Sequence, residues 1–298
     1  MLPPSPRLEI EPPKTERPKT ERPKTERPET EPPAPAGARR AAALRVTRGG
    51  VEPRRELIAE EEPVALVFNG LSYAVMMATP ADLEDFALGF ALTEGILASP
   101  DELYDTEVER FARGAEVRLR IAAERFAALR NRQRNLAGRT GCGLCGVDTI
   151  AEALRPVAHV ASSLTVPAEA VHAAMKAFPP LQVLNAEVGA IHAAAFARPD
   201  GSLVAVREDV GRHNALDKLI GHLARTGVAG GEGFVVVSSR CSYEMVHKTA
   251  AAGIPLIASV SAPTVLAVEF AEEAGVGLCA FVRDGRFTVY ACPDRVTT

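Results

Sequence analysis

The sequence predicts an α/β protein with two folded domains, a smaller α+β domain followed by a three-layer α/β domain. In the second half of the chain, short apolar strands alternate with helical segments. That pattern is typical of a parallel or mixed sheet covered by helices on both faces. In the first half, a hairpin, a capped helix, a further strand and a basic helix follow one another, which indicates an α+β unit. A chain of 298 residues is long enough for about two domains.

The composition is that of an ordinary globular protein and excludes several classes. Apolar residues make up 47% of the chain and charged residues 24%. The formal net charge of −4 argues against a nucleic-acid binder held by bulk charge. Five cysteines are too few and too uneven for a secreted disulfide framework. No apolar run approaches the ~18 residues of a membrane span, and the first residues lack a signal-peptide pattern, so we expect a cytoplasmic protein.

Residues 1–45 differ from the rest of the chain. The pentad Lys-Thr-Glu-Arg-Pro starts at Lys14, Lys19 and Lys24. Proline at every fifth position blocks helix and sheet pairing, and little apolar surface can be buried, so we expect a disordered tail. It is interpreted as a docking tail or, with preference, as a tolerated low-complexity extension. The remaining segments are predicted as a small α+β domain at 46–137, a mobile Cys-x-x-Cys loop at 138–148 and an α/β domain at 149–298.

Turn and cap signals mark the elements of the first half. Asn69-Gly70 is a strong hairpin turn, so the apolar runs 64–68 and 71–78 are predicted as paired strands. Residues 79–82 combine a hydroxyl, a proline and an acid, which predicts the start of a helix that ends near Gly95. The other predicted elements are a half-exposed strand at 117–121 and a basic helix at 123–135.

Turn signals also separate the elements of the second half. Pro199-Asp200-Gly201 predicts a hairpin between strands 193–197 and 203–206. Asn214 is predicted to cap the helix that follows. The other predicted elements are a helix at 167–178, strands at 234–237 and 255–260, helices at 242–252 and 264–274, and closing strands at 277–282 and 286–290.

Two cysteines in a glycine-rich stretch carry the strongest chemical signal. Cys142 and Cys145 stand three positions apart, with glycines on both flanks and between them. Such a pair suits sulfur or redox chemistry first, a zinc site shared with another ligand pair second, and chance last. Sulfur transfer fits because Arg139 and the basic helix before it would lower the thiol pKa. One thiol would hold a persulfide, and the other would displace its terminal sulfur and leave a disulfide.

A polar corner at residues 206–218 is the second candidate. It follows a predicted apolar strand and leads into a predicted helix, which is where ligands bind in α/β sheets. The competing interpretation is an ion-paired surface turn. His213 gains weight as a candidate only from its position inside this run.

Three further loops are candidates for binding anionic groups. Residues 238–240 (Ser-Ser-Arg) and 261–264 (Ser-Ala-Pro-Thr) each follow a predicted strand and precede a predicted helix. They favour phosphate binding or plain helix capping. The hairpin at 281–286 carries two guanidiniums, or is an ordinary charged turn. No Walker loop occurs in the sequence, and the Gly-x-Gly-x-x-Gly spacing of residues 141–146 follows a predicted helix, not the strand that a dinucleotide-binding fingerprint requires. An ordinary ATP or NAD enzyme is therefore disfavoured.

Taken together, these stretches resemble the formate dehydrogenase accessory sulfurtransferase family, FdhD, from about residue 50 to the end. The most specific motifs are residues 208–214 with Asp217-Lys218, and residues 242–245 with Lys248. The others are Phe68-Asn69-Gly70, residues 85–90 with Glu94-Gly95, residues 141–146, residues 261–264 and residues 281–286.

The resemblance implies a sulfurtransferase that takes sulfur from a cysteine desulfurase. It would pass this sulfur to the molybdenum cofactor, in its bis-guanine-dinucleotide form, for formate dehydrogenase. Cys142 would be the catalytic residue that carries the persulfide, assisted by Cys145, in a homodimer. No permanently bound metal ion, nucleic acid or membrane is expected, and residues 149–298 would have a cytidine-deaminase-like fold. The implied cofactor-binding residues are Phe281, Val282, Arg283, Asp284, Gly285 and Arg286.

Within this hypothesis, Arg240, Arg283 and Arg286 would offset the cofactor's phosphates, and the corner at 209–218 would orient its rings. A deaminase-like fold would not bring deamination, because Ala194 stands at the glutamate position of the His-x-Glu signature and Gly141 replaces the proline before Cys142. Two alternatives stay open. One is a non-enzymatic chaperone that binds the cofactor and the apo-dehydrogenase and has structural cysteines. The other is a zinc-bridged nucleotide-binding module.

Overall fold

The structure is a computed structural model that describes residues 33–137 and 159–298, except for the side chains of residues 132–137. These residues form a mixed α/β fold. Residues Ala34–Thr298 make up one compact unit, in which two sheets have separate apolar cores. The predicted Cys-x-x-Cys loop at 138–148 lies outside the described residues, so its mobility and the domain boundary there stay predictions.

Ordered structure begins earlier than the predicted boundary at residue 45. Strands β1 (Ala38–Thr47) and β2 (Gly50–Ala59) pair along their full length as an antiparallel ribbon. The prediction was wrong for the start of this segment because its arginines and alanines carry little β propensity. The ribbon is held at its base, where Ala38 is buried in one apolar cluster with Leu184 and Ile191.

The smaller sheet contains the predicted hairpin and one strand that was not predicted. Its elements are β3 (Glu62–Phe68), β4 (Leu71–Ala78), β5 (Leu103–Phe111) and β6 (Gly114–Ile121), with helices α1 (Leu83–Thr93) and α2 (Ala123–Ala137). The strand order is β4-β3-β6-β5, in which β3 and β6 are parallel. Asn69 and Gly70 both have positive φ (46° and 83°), as a two-residue hairpin turn requires.

The start of α1 differs from its prediction. The helix begins at Leu83, and Thr79 does not cap it. The hydroxyl of Thr79 instead accepts a hydrogen bond from the Val210 N–H (3.1 Å), across to the other half of the chain. The Thr79 hydroxyl therefore makes a long-range hydrogen bond and not the helix-capping bond that the local pattern predicted.

The larger sheet is mixed and contains most of the second half of the chain. Its strands are β8 (His192–Ala197), β9 (Leu203–Asp209), β10 (Phe234–Val237), β11 (Leu256–Ser259), β12 (Gly277–Arg283) and β13 (Arg286–Ala291). The strand order is β13-β12-β11-β10-β8-β9; β10, β11 and β12 are parallel, and the other pairs are antiparallel. The short strands β7 (Val166–Pro167) and β14 (Val296–Thr297) pair separately.

Helices cover both faces of this sheet. The helices are α3 (Ala168–Ala177), α4 (Val183–Val188), α5 (Arg212–Thr226), α6 (Tyr243–Ala251) and α7 (Val265–Ala274). On one face, Phe196 and Val235 are buried with residues of α5, α6 and α7. On the other face, Phe234 and Val236 are buried with Val171 and other residues of α3. The predicted layering of helices on both sides of a sheet is confirmed for the described residues.

The two sheets are joined where α1 crosses α5. Gly89 of α1 and Gly221 of α5 face each other so closely that side chains have no room. A Cβ atom on Gly89 would overlap the backbone of Asp217, and a Cβ atom on Gly221 would overlap the backbone of Asp85. Glycine is required at both positions because the two helix backbones are in direct contact.

A buried carboxylate reinforces this crossing. Asp85 of α1 has a side chain only 4% exposed. Its Oδ2 accepts from Arg207 Nε (2.9 Å) and Nη2 (2.8 Å), and its Oδ1 accepts from Arg225 Nη1 (2.8 Å). Charge-assisted bonds of this kind are stronger than neutral ones. They fix the orientation of α1 against β9 and α5.

Among the helices of the described residues, none combines the length and the apolar character that a membrane crossing needs.

We expect Gly89→Ala to destabilise the protein by at least about 2 kcal/mol, because the new methyl group must push two helix backbones apart. Urea unfolding followed by circular dichroism measures this change. The matched control is Gly231→Ala, since a Cβ atom there meets nothing within 4 Å. Equal midpoints for the two variants would show that the helix crossing is looser than described.

Candidate functional site

One edge of the larger sheet gathers most of the polar loops. Four strands end at this edge: β9, β10, β11 and β12. The antiparallel strand β8 begins there, because its first residues pair with the last residues of its neighbours (His192 with Asp209 and Ala194 with Val237). We call this the carboxyl edge. Its ends, at β9 and β12, are four strand spacings apart, roughly 19 Å. It is the usual place for a ligand in an open α/β sheet.

The predicted cofactor-binding hairpin lies at the β12–β13 end of the carboxyl edge. Asp284 (φ 53°) and Gly285 (φ 70°) form its turn, and Arg283 pairs with Arg286. These four residues are exposed. Val282 differs, because its side chain is 1% exposed and belongs to the core under α3. Only its backbone is therefore available to a ligand.

Phe281 has a strained backbone within this hairpin. Its φ is +54°, in a region that bulky residues rarely adopt, at an irregularity in the pairing of β12 with β13. Its N–H donates to the Ser261 carbonyl (3.3 Å), and the Arg283 guanidinium lies 5.8 Å from its ring centroid. Strain of this kind is often found at binding sites.

The serine loops of the carboxyl edge are tied to one another. Ser259 Oγ donates to the carbonyl of Ser239 (2.7 Å), and Ser238 Oγ accepts from the Ala193 N–H (2.9 Å). Thr264 Oγ1 accepts from the Ala267 N–H (3.3 Å), so the helix-capping interpretation is confirmed for Thr264. Hydroxyls used in this way hold the loops in place. The exposed cation of this loop is Arg240.

The polar corner after β9 proves largely structural. Asp209 and Lys218 are fully buried, with Lys218 Nζ 2.7 Å from Asp209 Oδ2. Asp209 also accepts from the N–H groups of Thr79 (3.0 Å) and Gly211 (2.8 Å). Lys218 Nζ donates to the Thr79 carbonyl (2.9 Å). These bonds satisfy both charges internally, so neither side chain is free to orient a ligand.

Asn214 shares this internal role. The prediction that it caps the following helix was wrong, because α5 begins at Arg212 with Gly211 as its cap residue. The Asn214 side-chain amide donates to the Met77 carbonyl (2.8 Å) and to Asp209 Oδ1 (3.0 Å). The polar corner therefore holds the end of β4 against the larger sheet through hydrogen bonds.

A second buried ion pair was missed by the sequence analysis. Lys248 Nζ donates to both carboxylate oxygens of Asp217 (2.9 and 3.0 Å), and Thr93 Oγ1 donates to Asp217 Oδ1 (2.7 Å). Burial raises the pKa of Asp217, and the adjacent Lys248 opposes this. The sequence did contain a signal for this ion pair: Lys248 lies three residues after Met245, on the apolar side of its helix, where an unpaired charge would be unfavourable.

Arg212 and His213 remain available at the β9 end of the carboxyl edge. Among the described residues, Arg212 Nε and His213 Nε2 have no hydrogen-bond partner although both atoms are buried. Glu244 Oε2 lies 3.8 Å from His213 Nε2. Burial, with a smaller effect of Arg212, lowers the pKa of His213 to about 4 and also lowers the pKa of His192. Both imidazoles are therefore neutral near pH 7.

The three described cysteines are unreactive. Burial raises the pKa of Cys241 and of Cys279 to about 12, and burial together with Glu272 raises the pKa of Cys292 to about 11. All three stay protonated near pH 7, and a protonated thiol is a poor nucleophile. Cys142 and Cys145, the predicted reactive pair, lie outside the described residues.

These observations define a class: a mixed α/β protein with ligand-accessible cations at the carboxyl edge of its larger sheet. The model of the FdhD/NarQ family matches residues 59–297. The chain belongs to this family, as the resemblance of its motifs predicts.

Individual proteins agree with this assignment. A protein of Cupriavidus necator named sulfur carrier protein FdhD is 51% identical over 255 residues, which cover 86% of this chain and 88% of that protein. One of the same name from Xanthomonas euvesicatoria is 52% identical over 244 residues, covering 81% and 86%. A crystal structure from Desulfotalea psychrophila, described as a formate dehydrogenase accessory protein, superposes with a TM-score of 0.71. It has 25% identity and covers 88% of this chain and all of that one.

We expect His213 to make stability depend on pH. Its pKa is about 4 in the folded protein and near ~6.5 in the unfolded chain, so the unfolded chain takes up the proton first. The stabilisation is fully present above pH ~6.5 and is lost as the pH falls towards 4. His213→Gln should therefore flatten the loss of stability between pH 7 and pH 5 in urea unfolding. An NMR titration that places the His213 pKa near 6.5 would contradict this.

Proposed function

We propose that this protein carries sulfur for the maturation of formate dehydrogenase. It would take sulfur from a cysteine desulfurase and pass it to the molybdenum cofactor in bis-guanine-dinucleotide form. The sulfur-carrying role is supported by relatives that are named sulfur carrier proteins. Their sequences are about half identical to this chain over most of its length. The link to formate dehydrogenase is supported by the family and by the description of the structural relative. The cytoplasm, where thiols stay reduced, suits this chemistry.

Cys142 is the proposed carrier. Cys241, Cys279 and Cys292 are poor candidates because burial keeps their thiols protonated. That leaves the Cys-x-x-Cys pair, whose glycine flanks and basic neighbour Arg139 favour an accessible thiolate. The protonation of the described thiols is the single observation that carries the choice of this pair, and within the pair Cys142 is the carrier that the family resemblance implies.

The proposed transfer has two steps. The Cys142 thiolate attacks the terminal sulfur of the desulfurase persulfide, which forms Cys142–S–SH and releases the desulfurase cysteine as a thiolate. The Cys145 thiolate then attacks Cys142 Sγ, so that a Cys142–Cys145 disulfide forms and the terminal sulfur leaves as hydrosulfide for the metal centre. A cellular dithiol reductant supplies the two electrons that return the disulfide to two thiols.

The carboxyl edge is the proposed binding surface for the cofactor, which is the substrate of the transfer. Its diphosphate groups need cations, and Arg240, Arg283 and Arg286 are exposed there. His213 Nε2 and Arg212 Nε add polar atoms that have no hydrogen-bond partner within the part of the chain that the structure describes. We also infer a cytidine-deaminase-like arrangement for residues 149–298, which the mixed sheet with both faces covered supports.

Incubation with a cysteine desulfurase and cysteine should add one sulfur atom to the peptide that contains Cys142. Mass spectrometry of the digested, alkylated protein measures this. Cys142→Ala should lose the added sulfur completely, and the matched control Cys292→Ala should keep it because that thiol stays protonated. Full formate dehydrogenase activity with Cys142→Ala would overturn the transfer function and favour the chaperone alternative.

Removal of one hairpin cation should weaken binding of guanosine diphosphate, used as a probe for the cofactor's nucleotide. We expect Arg283→Ala and Arg286→Ala each to raise the dissociation constant by about tenfold, because each loses a charge-assisted contact. Isothermal titration calorimetry measures it. Arg198→Ala is the control, since Arg198 is exposed in the β8–β9 hairpin at the opposite edge. Equal losses in all three variants would indicate non-specific attraction only.

A further inference from the structure

Glu244 is an exposed carboxylate at the carboxyl edge, where most of the other exposed charges are cationic. It is the second residue of α6, and its side chain is 55% exposed. Its Oε2 lies 3.8 Å from His213 Nε2, so it stands between the end of β10 and the end of β9. Because this imidazole is neutral near pH 7, it does not neutralise the carboxylate.

Two polar atoms near this carboxylate lack a partner. Among the described residues, Arg212 Nε and His213 Nε2 make no hydrogen bond although both atoms are buried. Burial, and after it Arg212, lowers the pKa of His213. Burial would raise the pKa of Glu244, but the Ser242 hydroxyl and, more weakly, Arg212 lower it. Arg212 therefore lies close to both side chains, and the unpartnered atoms leave room for a ligand that would bond to them.

The three side chains present a defined hydrogen-bond pattern. An ionised carboxylate accepts two parallel N–H groups, and a guanidinium only donates. A complementary ligand therefore has two adjacent N–H donors with a carbonyl oxygen beside them. The 2-amino-4-oxopyrimidine edge, which guanine and pterin rings share, has this arrangement. The corresponding edge of adenine does not, because its single amino donor lies beside a ring nitrogen that accepts.

The distance to the hairpin cations suits a ligand of this kind. Arg283 and Arg286 follow β12, and Glu244 follows β10, which is two strands away in the sheet. Two strand spacings are roughly 10 Å. A nucleotide that lies along the carboxyl edge can therefore place its phosphates at the hairpin and its ring at Glu244.

A purely structural role for Glu244 is the competing interpretation. An acid in the first turn of a helix stabilises the positive N-terminal end of that helix. This role does not involve Arg212 Nε or His213 Nε2, and it predicts no selectivity among bases. The two interpretations therefore differ in a measurable way.

We propose that Glu244 determines specificity for the 2-amino-4-oxopyrimidine edge of the cofactor. Its carboxylate accepts from the ring N–H and the 2-amino group, and Arg212 donates to the ring carbonyl. The inference rests on the proposed function, because the ligand is the cofactor to which the sulfur is passed. Glu244 takes no part in the sulfur transfer itself.

The test is isothermal titration calorimetry of the full chain with guanosine, inosine and adenosine diphosphates. Inosine diphosphate lacks only the 2-amino group. Glu244→Gln should raise the dissociation constant for guanosine diphosphate by at least about tenfold, because a charge-assisted pair of hydrogen bonds is lost. Binding of adenosine diphosphate should not weaken, since removal of a negative charge cannot repel phosphates. Glu273→Gln is the matched control, because Glu273 is exposed in the last turn of α7 at the opposite edge.

A parallel titration with neopterin identifies which ring Glu244 contacts. Neopterin has the same 2-amino-4-oxopyrimidine edge and no phosphate. Weaker binding of guanosine diphosphate in Glu244→Gln, with loss of its preference over inosine diphosphate, assigns the guanine. Weaker binding of neopterin assigns the pterin.

Two outcomes would overturn the proposal. The first is unchanged binding of both guanosine diphosphate and neopterin in Glu244→Gln. The second is an equal loss for guanosine and adenosine diphosphates, which would indicate a structural role only. Circular dichroism and the urea midpoint of Glu244→Gln should match those of Glu273→Gln, which separates lost recognition from misfolding.

Failure of the proposed function has a different signature. If the hairpin arginines bind the diphosphates but Glu244→Gln changes nothing, only the role of Glu244 is wrong. If the wild type binds neither the nucleotides nor neopterin, the carboxyl edge is not the cofactor surface and both proposals about it fall. Sulfur loading of Cys142 in the same samples reports on the sulfur-carrying step independently of either result.

Discussion

The crossing of α1 over α5 at Gly89 and Gly221 is the constraint on which the rest of the structure depends. Backbone contact between two helices brings their flanking side chains into a volume that excludes water. Asp85 and Asp217 flank this crossing, and Asp209 is the last residue of β9, just before α5 begins at Arg212. Asp85 pairs with Arg207 and so ties α1 to the larger sheet, whereas Asp209 and Asp217 pair with Lys218 and Lys248 inside the larger-sheet half. Buried ion pairs are weak evidence for stability, but loss of one partner is strongly destabilising, so these pairs define a single arrangement.

The ion pairs around the α1–α5 crossing also determine which charged side chains are left exposed at the carboxyl edge. Asp209, Asp217, Lys218 and Lys248 are satisfied inside the protein, so they contribute little field at the surface. The exposed cations of the edge are then Arg240, Arg283 and Arg286, which outnumber its two exposed acids, Glu244 and Asp284. His192 and His213 stay uncharged through burial and through the nearby Arg212. Such a surface favours an anionic ligand that also accepts hydrogen bonds.

Local patterns predicted the elements of the fold but not their long-range use. The turn at Asn69-Gly70 and the strand–helix alternation of the second half depend on neighbours in sequence, and they were predicted correctly. The roles predicted for Thr79, Asn214 and Asp209 were wrong because these residues bond across the α1–α5 crossing. The partners of Thr79, for example, are more than a hundred residues away in sequence. The start of the ribbon was missed because its arginines and alanines carry little β propensity. The turn between β12 and β13 was predicted correctly, although Val282 within this hairpin belongs to the core, and the role of the hairpin in cofactor binding stays a prediction.

The distribution of thiols suits a chain that handles sulfur. Cys241 directly follows Arg240, and its N–H donates to the Ala262 carbonyl of the neighbouring loop (3.1 Å), so it lies at the carboxyl edge itself. A thiolate there would compete with the proposed acceptor for the incoming sulfur. Its sulfur is instead fully buried, and burial raises its pKa to about 12. Because nucleophilic attack requires the thiolate, a cysteine can stay beside the proposed acceptor site without diverting the transfer.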